Sequence, residues 1–132
     1  MLYQIEVRKT KKMGRGVYAL KYFKRLEIIE KCPVVHLKPG ERRHCEKTIL
    51  NTYIYPWRSL QDAVIVLGYG SIYNHSVSPN TKWVRSFKTD QMFYKAIRPI
   101  KKGEEISVDY NGPYEPDSDM DWLKEPSRYS KK

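Results

Sequence analysis

Apolar and polar positions alternate from the start of the chain. Tyr3, Ile5 and Val7 are separated by Gln4, Glu6 and Arg8, the period-two pattern of a strand with one buried face, over residues 3–8. Gly14 and Gly16 mark a turn. Apolar runs at 17–20 and 26–35 predict two more strands, and Pro33 in the second lacks a ladder donor, which predicts an edge or a bulge there. Lys38-Pro39-Gly40-Glu41-Arg42-Arg43 reads as a polar turn. At 46–55 the period changes: Ile49, Leu50, Tyr53 and Ile54 share one face of a helix that Pro56 would end. A short apolar run follows at 63–67. A hairpin of 83–87 and 92–97 is predicted around Lys88-Thr89-Asp90, and a last strand at 106–109 behind the Lys102-Gly103 turn. Many short strands with little helix predict a mainly β protein.

The chain of 132 residues fits one domain with a single core. No stretch approaches the ~18 apolar residues of a membrane span. The alternating N-terminus does not resemble a secretion signal. An intracellular protein, cytoplasmic or nuclear, is expected. Cys32 and Cys45, with His36 and His44, put four potential metal ligands in one short region. Their spacings match no ligand-pair pattern, so no metal site is predicted. No heptad or apolar face fixes the oligomeric state, and a homodimer is compatible with the chain.

The net charge of +10 is unevenly spread. Residues 104–121 hold seven acids and no Lys or Arg, so the other 114 residues carry 25 bases against eight acids, a balance of +17. A surface that basic suits either solubility or a polyanionic partner such as nucleic acid or a nucleoprotein. The acidic segment suits the opposite partner, a basic peptide.

Three segments carry the candidate chemistry. They are Gly14-Arg15-Gly16-Val17-Tyr18-Ala19; Gly68-Tyr69-Gly70-Ser71-Ile72-Tyr73-Asn74-His75-Ser76 with Pro79-Asn80 close behind; and Gly103-Glu104-Glu105-Ile106-Ser107-Val108-Asp109-Tyr110. The glycine pair is not a dinucleotide fingerprint, since a third glycine and a following helix pattern are missing. In this order and at these spacings the segments resemble the SET-domain protein-lysine methyltransferases, of the small viral or bacterial kind, over roughly residues 3–123. The resemblance implies a SET (β-clip) fold, with several small curved sheets, short helices and a C-terminal segment threaded into a pseudoknot. It makes 1–123 a SET domain, and the Lys- and Ser-rich residues 124–132 read as a basic flexible tail.

It also implies S-adenosyl-L-methionine as cofactor and a lysine ε-amine as acceptor. A free lysine is neutral about once in 2,500 molecules at pH 7, a cost of roughly 4.6 kcal/mol. A narrow aromatic channel lowers that cost and aligns the amine. Carried over residue by residue, Tyr110 is the catalytic tyrosine. Gly14, Arg15, Gly16, Val17, Asn74, His75, Tyr110 and Trp122 would contact the cofactor. Tyr53, Trp83, Val108, Tyr110 and Trp122 would line the substrate channel. Tyr53 is equally a core-facing helix tyrosine, and Trp122 equally an anchor for the C-terminal segment. Many SET enzymes have Phe or Tyr where this chain has Val108, so the number of methyl groups transferred is open, with Trp83 a candidate to fill the space. The cysteine cluster that many larger relatives carry after the catalytic tyrosine is absent.

The expected function is methyl transfer to lysine in a basic protein, histone or histone-like. The alternative is a non-catalytic SET-like module that binds basic peptides or nucleic acid; an unrelated basic β-barrel binding single strands fits the motifs least.

Overall fold

The computed structural model describes residues 4–59 and 61–110. In chain order the elements are β1 (Ile5–Lys9), β2 (Arg15–Ala19), β3 (Ile28–Leu37), helix α1 (Pro39–Cys45), a 3-10 turn (Ile49–Thr52), β4 (Ile54–Tyr55), β5 (Ala63–Val66), β6 (Asn74–His75), β7 (Thr81–Ser86), β8 (Gln91–Ala96) and β9 (Glu105–Val108). They form two small sheets, ordered β1-β2-β9-β6 and β4-β5-β3-β8-β7. Mainly β, with curled sheets and one short helix, this is the fold class the residues predict. The expected threading of the C-terminal segment involves residues after Tyr110, and these, like the tail at 124–132, lie outside the described residues.

Most predicted strands form close to their expected bounds, because each alternates a buried and a wetter face. Ile5 and Val17 bury against Ala19, Phe23 and Ile106. In β8 the even positions Met92, Tyr94 and Ala96 are buried while Gln91, Phe93 and Lys95 are not. Pro33 falls neither at a sheet edge nor at the bulge, which lies between Ile28 and Glu30. It sits where β3 changes partner: residues 28–33 pair with β8, and 34–37 pair with β5 on the other side. A residue without an N–H is tolerated at that handover, where one ladder ends and the next begins.

Two further expectations fail. The helix over 46–55 does not form. Thr48 caps a single 3-10 turn, accepting from the Leu50 N–H at 3.1 Å, and Ile54 and Tyr55 then leave as β4 to pair with Ile65 and Val64. Ile54 and Tyr55 bury almost completely there, whereas Ile49 remains 78% exposed. Sheet pairing of β-branched and aromatic residues outweighs a local helical period. Conversely, 38–43 is not a turn. Pro39 opens α1, and the Glu41 carboxylate reaches back to accept from the Lys38 N–H at 2.8 Å.

Candidate active site

Strand β9 brings the three motif segments together. It pairs antiparallel with β2 through Val17–Ile106 and Tyr18–Glu105, and parallel with β6 through Asn74–Ser107 and His75–Val108. The Gly-x-Gly turn and the Asn-His pair are thereby fixed on either side of the strand that ends at Asp109-Tyr110. Asn80 completes the frame: its buried side-chain amide donates to the Glu105 carbonyl at 2.8 Å and accepts from the Ser107 N–H at 3.0 Å, acting as a short surrogate strand along β9. That accounts for Pro79-Asn80 following the Asn-His pair.

Asn74 is the junction. Its buried side-chain nitrogen donates to the Arg15 carbonyl and to the Glu105 carboxylate, each at 2.8 Å. Gly16 is required by this contact. A Cβ at Gly16 would fall on the Glu105 carboxylate and within 2.9 Å of both the Asn74 amide and the Thr10 methyl. Gly14 has a different reason, since its φ of +71° lies in the left-handed region, while the space around it is open.

Tyr110 is held at two points by the neighbouring segment. Its N–H donates to His75 Nδ1 at 3.0 Å, and its hydroxyl donates to the Tyr73 carbonyl at 2.5 Å. With Nδ1 accepting, the proton of a neutral His75 ring lies on Nε2. The two rings are 5.1 Å apart. Burial foremost, then the nearby Tyr53 and Glu105, raises the Tyr110 phenol above its ordinary value, so it remains protonated and able to donate.

Two cavities meet at Tyr110. One, of about 330 Å³, is lined by Met13, Gly14, Arg15, Ile72 and Asn74; the other, of about 480 Å³, by Arg42, Glu46, Asn51, Ile54 and Tyr55. Thr52, Tyr53, Ser71 and Tyr110 line both. Both volumes fall in the usual range for small-ligand sites.

Of the expected cofactor contacts, Gly14, Arg15, Asn74 and Tyr110 line the first cavity, whereas Gly16, Val17 and His75 do not. Val17 is a fully buried residue of β2, Gly16 packs against the Asn74 amide, and His75 accepts from the Tyr110 N–H. Of the channel residues, Tyr53 and Tyr110 line both cavities, while Trp83 and Val108 line neither. Trp83 is a buried anchor. Its indole N–H donates to the Asp109 carbonyl at 2.9 Å, and its ring meets Tyr55 edge-on at 5.0 Å. Val108, the last residue of β9, is fully buried. Trp122 lies outside the described residues.

Sequence reasoning missed Ser71, Arg42 and Glu46 in the cavity walls, and Glu30 behind them. Ser71 donates to the Tyr53 and Val66 carbonyls at 2.9 and 3.2 Å, which ties the shared wall to β5. Arg42 on α1 and Glu46 at its C-terminal cap are an i,i+4 pair 3.6 Å apart, a spacing that sequence shows once 39–45 is read as helix. Glu30 accepts from the Tyr73 phenol at 2.7 Å and from the Tyr69 N–H at 3.0 Å; nothing local in sequence signals it.

Comparison with known proteins agrees with this geometry. The SET-domain family model matches residues 14–111, and the chain belongs to the SET-domain family of protein-lysine methyltransferases. It is 35% identical over 107 residues to a Schizosaccharomyces pombe histone-lysine N-methyltransferase specific for H3 lysine-37, covering 80% of this chain and 72% of that protein. It is 36% identical over 124 residues to the variant-silencing SET domain-containing protein of Plasmodium falciparum, covering 81% of this chain but 5% of that much longer protein. Among solved structures, one described as a candidate histone methyltransferase of Plasmodium falciparum superposes with a TM-score of 0.66 at 30% identity, covering 86% of this chain and 98% of that one.

Proposed function

We propose that this chain transfers methyl groups from S-adenosyl-L-methionine to the ε-amine of a lysine in a histone or histone-like tail. The observation that carries the reading is the pair of cavities sharing one wall of Thr52, Tyr53, Ser71 and Tyr110. A transfer enzyme needs donor and acceptor to enter from separate sides and meet at one point.

The residues fit the cofactor. Backbone at Gly14 can be approached closely, because nothing lies within 4 Å of where a Cβ would project. Asn74 and Arg15 add polar groups to the same wall. Gly14, Arg15, Asn74 and Tyr110 would hold it, and Gly16, Val17 and His75 would support those contacts from behind. When bound, the cofactor supplies an electrophilic methyl carbon on a sulfonium.

The chain's own residues prepare the amine. Tyr53 and Tyr110 border the second cavity with Tyr55 and Ile54, an aromatic and apolar setting that disfavours an ammonium. With its proton committed to the Tyr73 carbonyl, the Tyr110 oxygen offers lone pairs to an amine N–H and so orients the nitrogen. Glu105 and Asp109 lie near Tyr110, and the seven acids of the stretch 104–121 would attract a basic peptide. A histone substrate is supported by the histone-lysine methyltransferases among the relatives, and it would put the protein with chromatin in the nucleus.

The test is transfer of labelled methyl from the cofactor to a panel of core histones and other basic proteins, with the modified lysine located by mass spectrometry. Tyr110→Phe should slow transfer by about 100-fold or more while leaving cofactor affinity near the parent value. Transfer by that variant at the parent rate would overturn the role of Tyr110. Cofactor binding with no transfer to any basic protein would favour the non-catalytic module.

A further inference from the structure

The β1–β2 hairpin ends in a concentration of positive charge that no ion pair balances among the described residues. Lys9, Lys11, Lys12 and Arg15 are all exposed there. No acidic side chain falls between residues 7 and 26, and none of the four makes an ion pair among the described residues. Arg8 is the exception, paired with Glu6 and stacked over the Tyr18 ring. The strand register adds a second observation. Lys9 and Arg15 are direct cross-strand partners, a like-charge pair that destabilises an isolated hairpin. The turn is nevertheless ordered: the Thr10 N–H donates to the Gly14 carbonyl at 2.5 Å, and the Thr10 hydroxyl accepts from the Met13 N–H at 2.7 Å. Four cations are thus held in a fixed array at an internal cost that an external polyanion would relieve.

We propose that this hairpin end is a docking site for the phosphate backbone of duplex DNA. Phosphates at regular intervals suit an ordered row of lysines, and neutralising them releases counterions. The duplex is favoured over a single strand because single-strand binding relies on exposed aromatic platforms. This end carries none: Met13 is its large exposed apolar side chain, and Tyr18 is covered by Arg8. Its position gives the contact a use. Met13, Gly14 and Arg15 also line the smaller cavity, so a DNA-bound protein with a basic tail would be held beside the site where that tail is modified. The binding claim itself needs no methyl transfer, so its failure and a failure of the catalytic reading are separate results.

The experiment measures binding of a labelled duplex by fluorescence anisotropy between about 50 and 200 mM salt. The variant Lys9→Gln/Lys11→Gln/Lys12→Gln is compared with a control of equal charge change at the opposite end of β1–β2, Lys24→Gln/Arg25→Gln/Lys102→Gln. The hairpin variant should lose at least about tenfold in affinity and flatten the log–log salt slope by about three. The control should change far less. Single-stranded DNA and RNA of equal length should bind more weakly, and poly-glutamate should compete poorly. Lys9→Gln alone should raise the urea midpoint while lowering DNA affinity, a combination that a merely structural lysine would not give. Equal losses in variant and control would reduce the effect to net charge and overturn the proposal. Single strands binding as tightly as duplex, or poly-glutamate competing as well as DNA, would overturn it in favour of those partners.

Discussion

The hydroxyl of Tyr110 donates to the backbone carbonyl of Tyr73 at 2.5 Å, while the phenol of Tyr73 itself donates to Glu30 at 2.7 Å. The tyrosine at the junction of the two cavities is therefore positioned by the main chain of another tyrosine, which is pinned from behind by a carboxylate on β3. The segment between is clamped as well: Tyr55 and Tyr94 both donate to the Gly70 carbonyl at 3.0 Å. The Gly-x-Gly-Ser-Ile-Tyr run thus forms a braced strut carrying the carbonyl that Tyr110 uses.

Glu30 should consequently matter for both stability and rate. Glu30→Ala leaves the Tyr73 phenol and the Tyr69 N–H without their acceptor. Unfolding free energy should fall by about 1–3 kcal/mol for each of the two, since each is a buried or half-buried polar group. Methyl transfer should fall further than cofactor affinity, because the displaced group is Tyr110. Glu30→Gln retains one acceptor oxygen and should recover much of both. Urea denaturation and transfer kinetics on the two variants check this, and equal behaviour of Gln and Ala would argue against hydrogen bonding as the cause.

The two glycines of the first motif should respond differently. Gly16→Ala pushes a methyl onto the Glu105 carboxylate and the Asn74 amide, and overpacking of this kind costs about 1–3 kcal/mol. Gly14 has open space but a left-handed backbone, so Gly14→Asn should be nearly neutral and Gly14→Val clearly worse. Urea midpoints of the three variants, with cofactor titration of those that fold, test the assignment.

The legible parts of this site were the ones where chemistry restricts the residue type. Gly16 must be glycine for Asn74 to reach Arg15 and Glu105, so spacing and identity together betray the contact. Alternating strands such as β8 are readable because half of each faces the core. The region 38–55 differs from its sequence expectation in both directions. Lys38-Pro39-Gly40-Glu41 has the turn composition of a loop, yet proline at the first helical position and glutamate at the third are also helix-start signals. Ile49 and Leu50 fit a helical face that stays exposed among the described residues, and the competing gain, Ile54 and Tyr55 entering a sheet with β5, is a long-range contact invisible in a local window. Trp83 looked like a channel residue because its strand neighbours the motif. Its indole instead turns inward to hold the Asp109 carbonyl, an orientation set by the tertiary fold.

Asn74→Asp is a sharp test of the junction. It replaces the amide that bridges the Arg15 carbonyl and the Glu105 carboxylate with a second carboxylate in the same place. Near pH 7 the variant should be destabilised by about 1–3 kcal/mol and bind the cofactor weakly. Two carboxylates that close share a proton as pH falls, so stability should partly recover toward pH ~5. Asn74→Ala should show the loss without that recovery.

Alkaline stability follows from the buried phenols. Burial, foremost, pushes the hydroxyls of Tyr55, Tyr73 and Tyr94 above their ordinary value near 10, and pushes the Cys32 thiol up as well. The folded state therefore keeps these groups neutral where the unfolded chain ionises them. A raised pKa of this kind leaves stability fully present below the unfolded value. It removes stability as pH climbs from there toward the folded value, by about 1.4 kcal/mol per pH unit for each group in that window. The urea midpoint should be little changed by these groups below pH ~8, begin to fall above about pH 9 through Cys32, and fall steeply above pH ~10 through the phenols. Tyrosinate absorbance should rise in two stages, the second coinciding with unfolding. Tyr94→Phe removes one such group together with its bond to the Gly70 carbonyl, so it should be less stable at neutral pH yet lose less with each added pH unit. A single tyrosine titration with no loss of structure would show that these phenols are not buried as neutral donors.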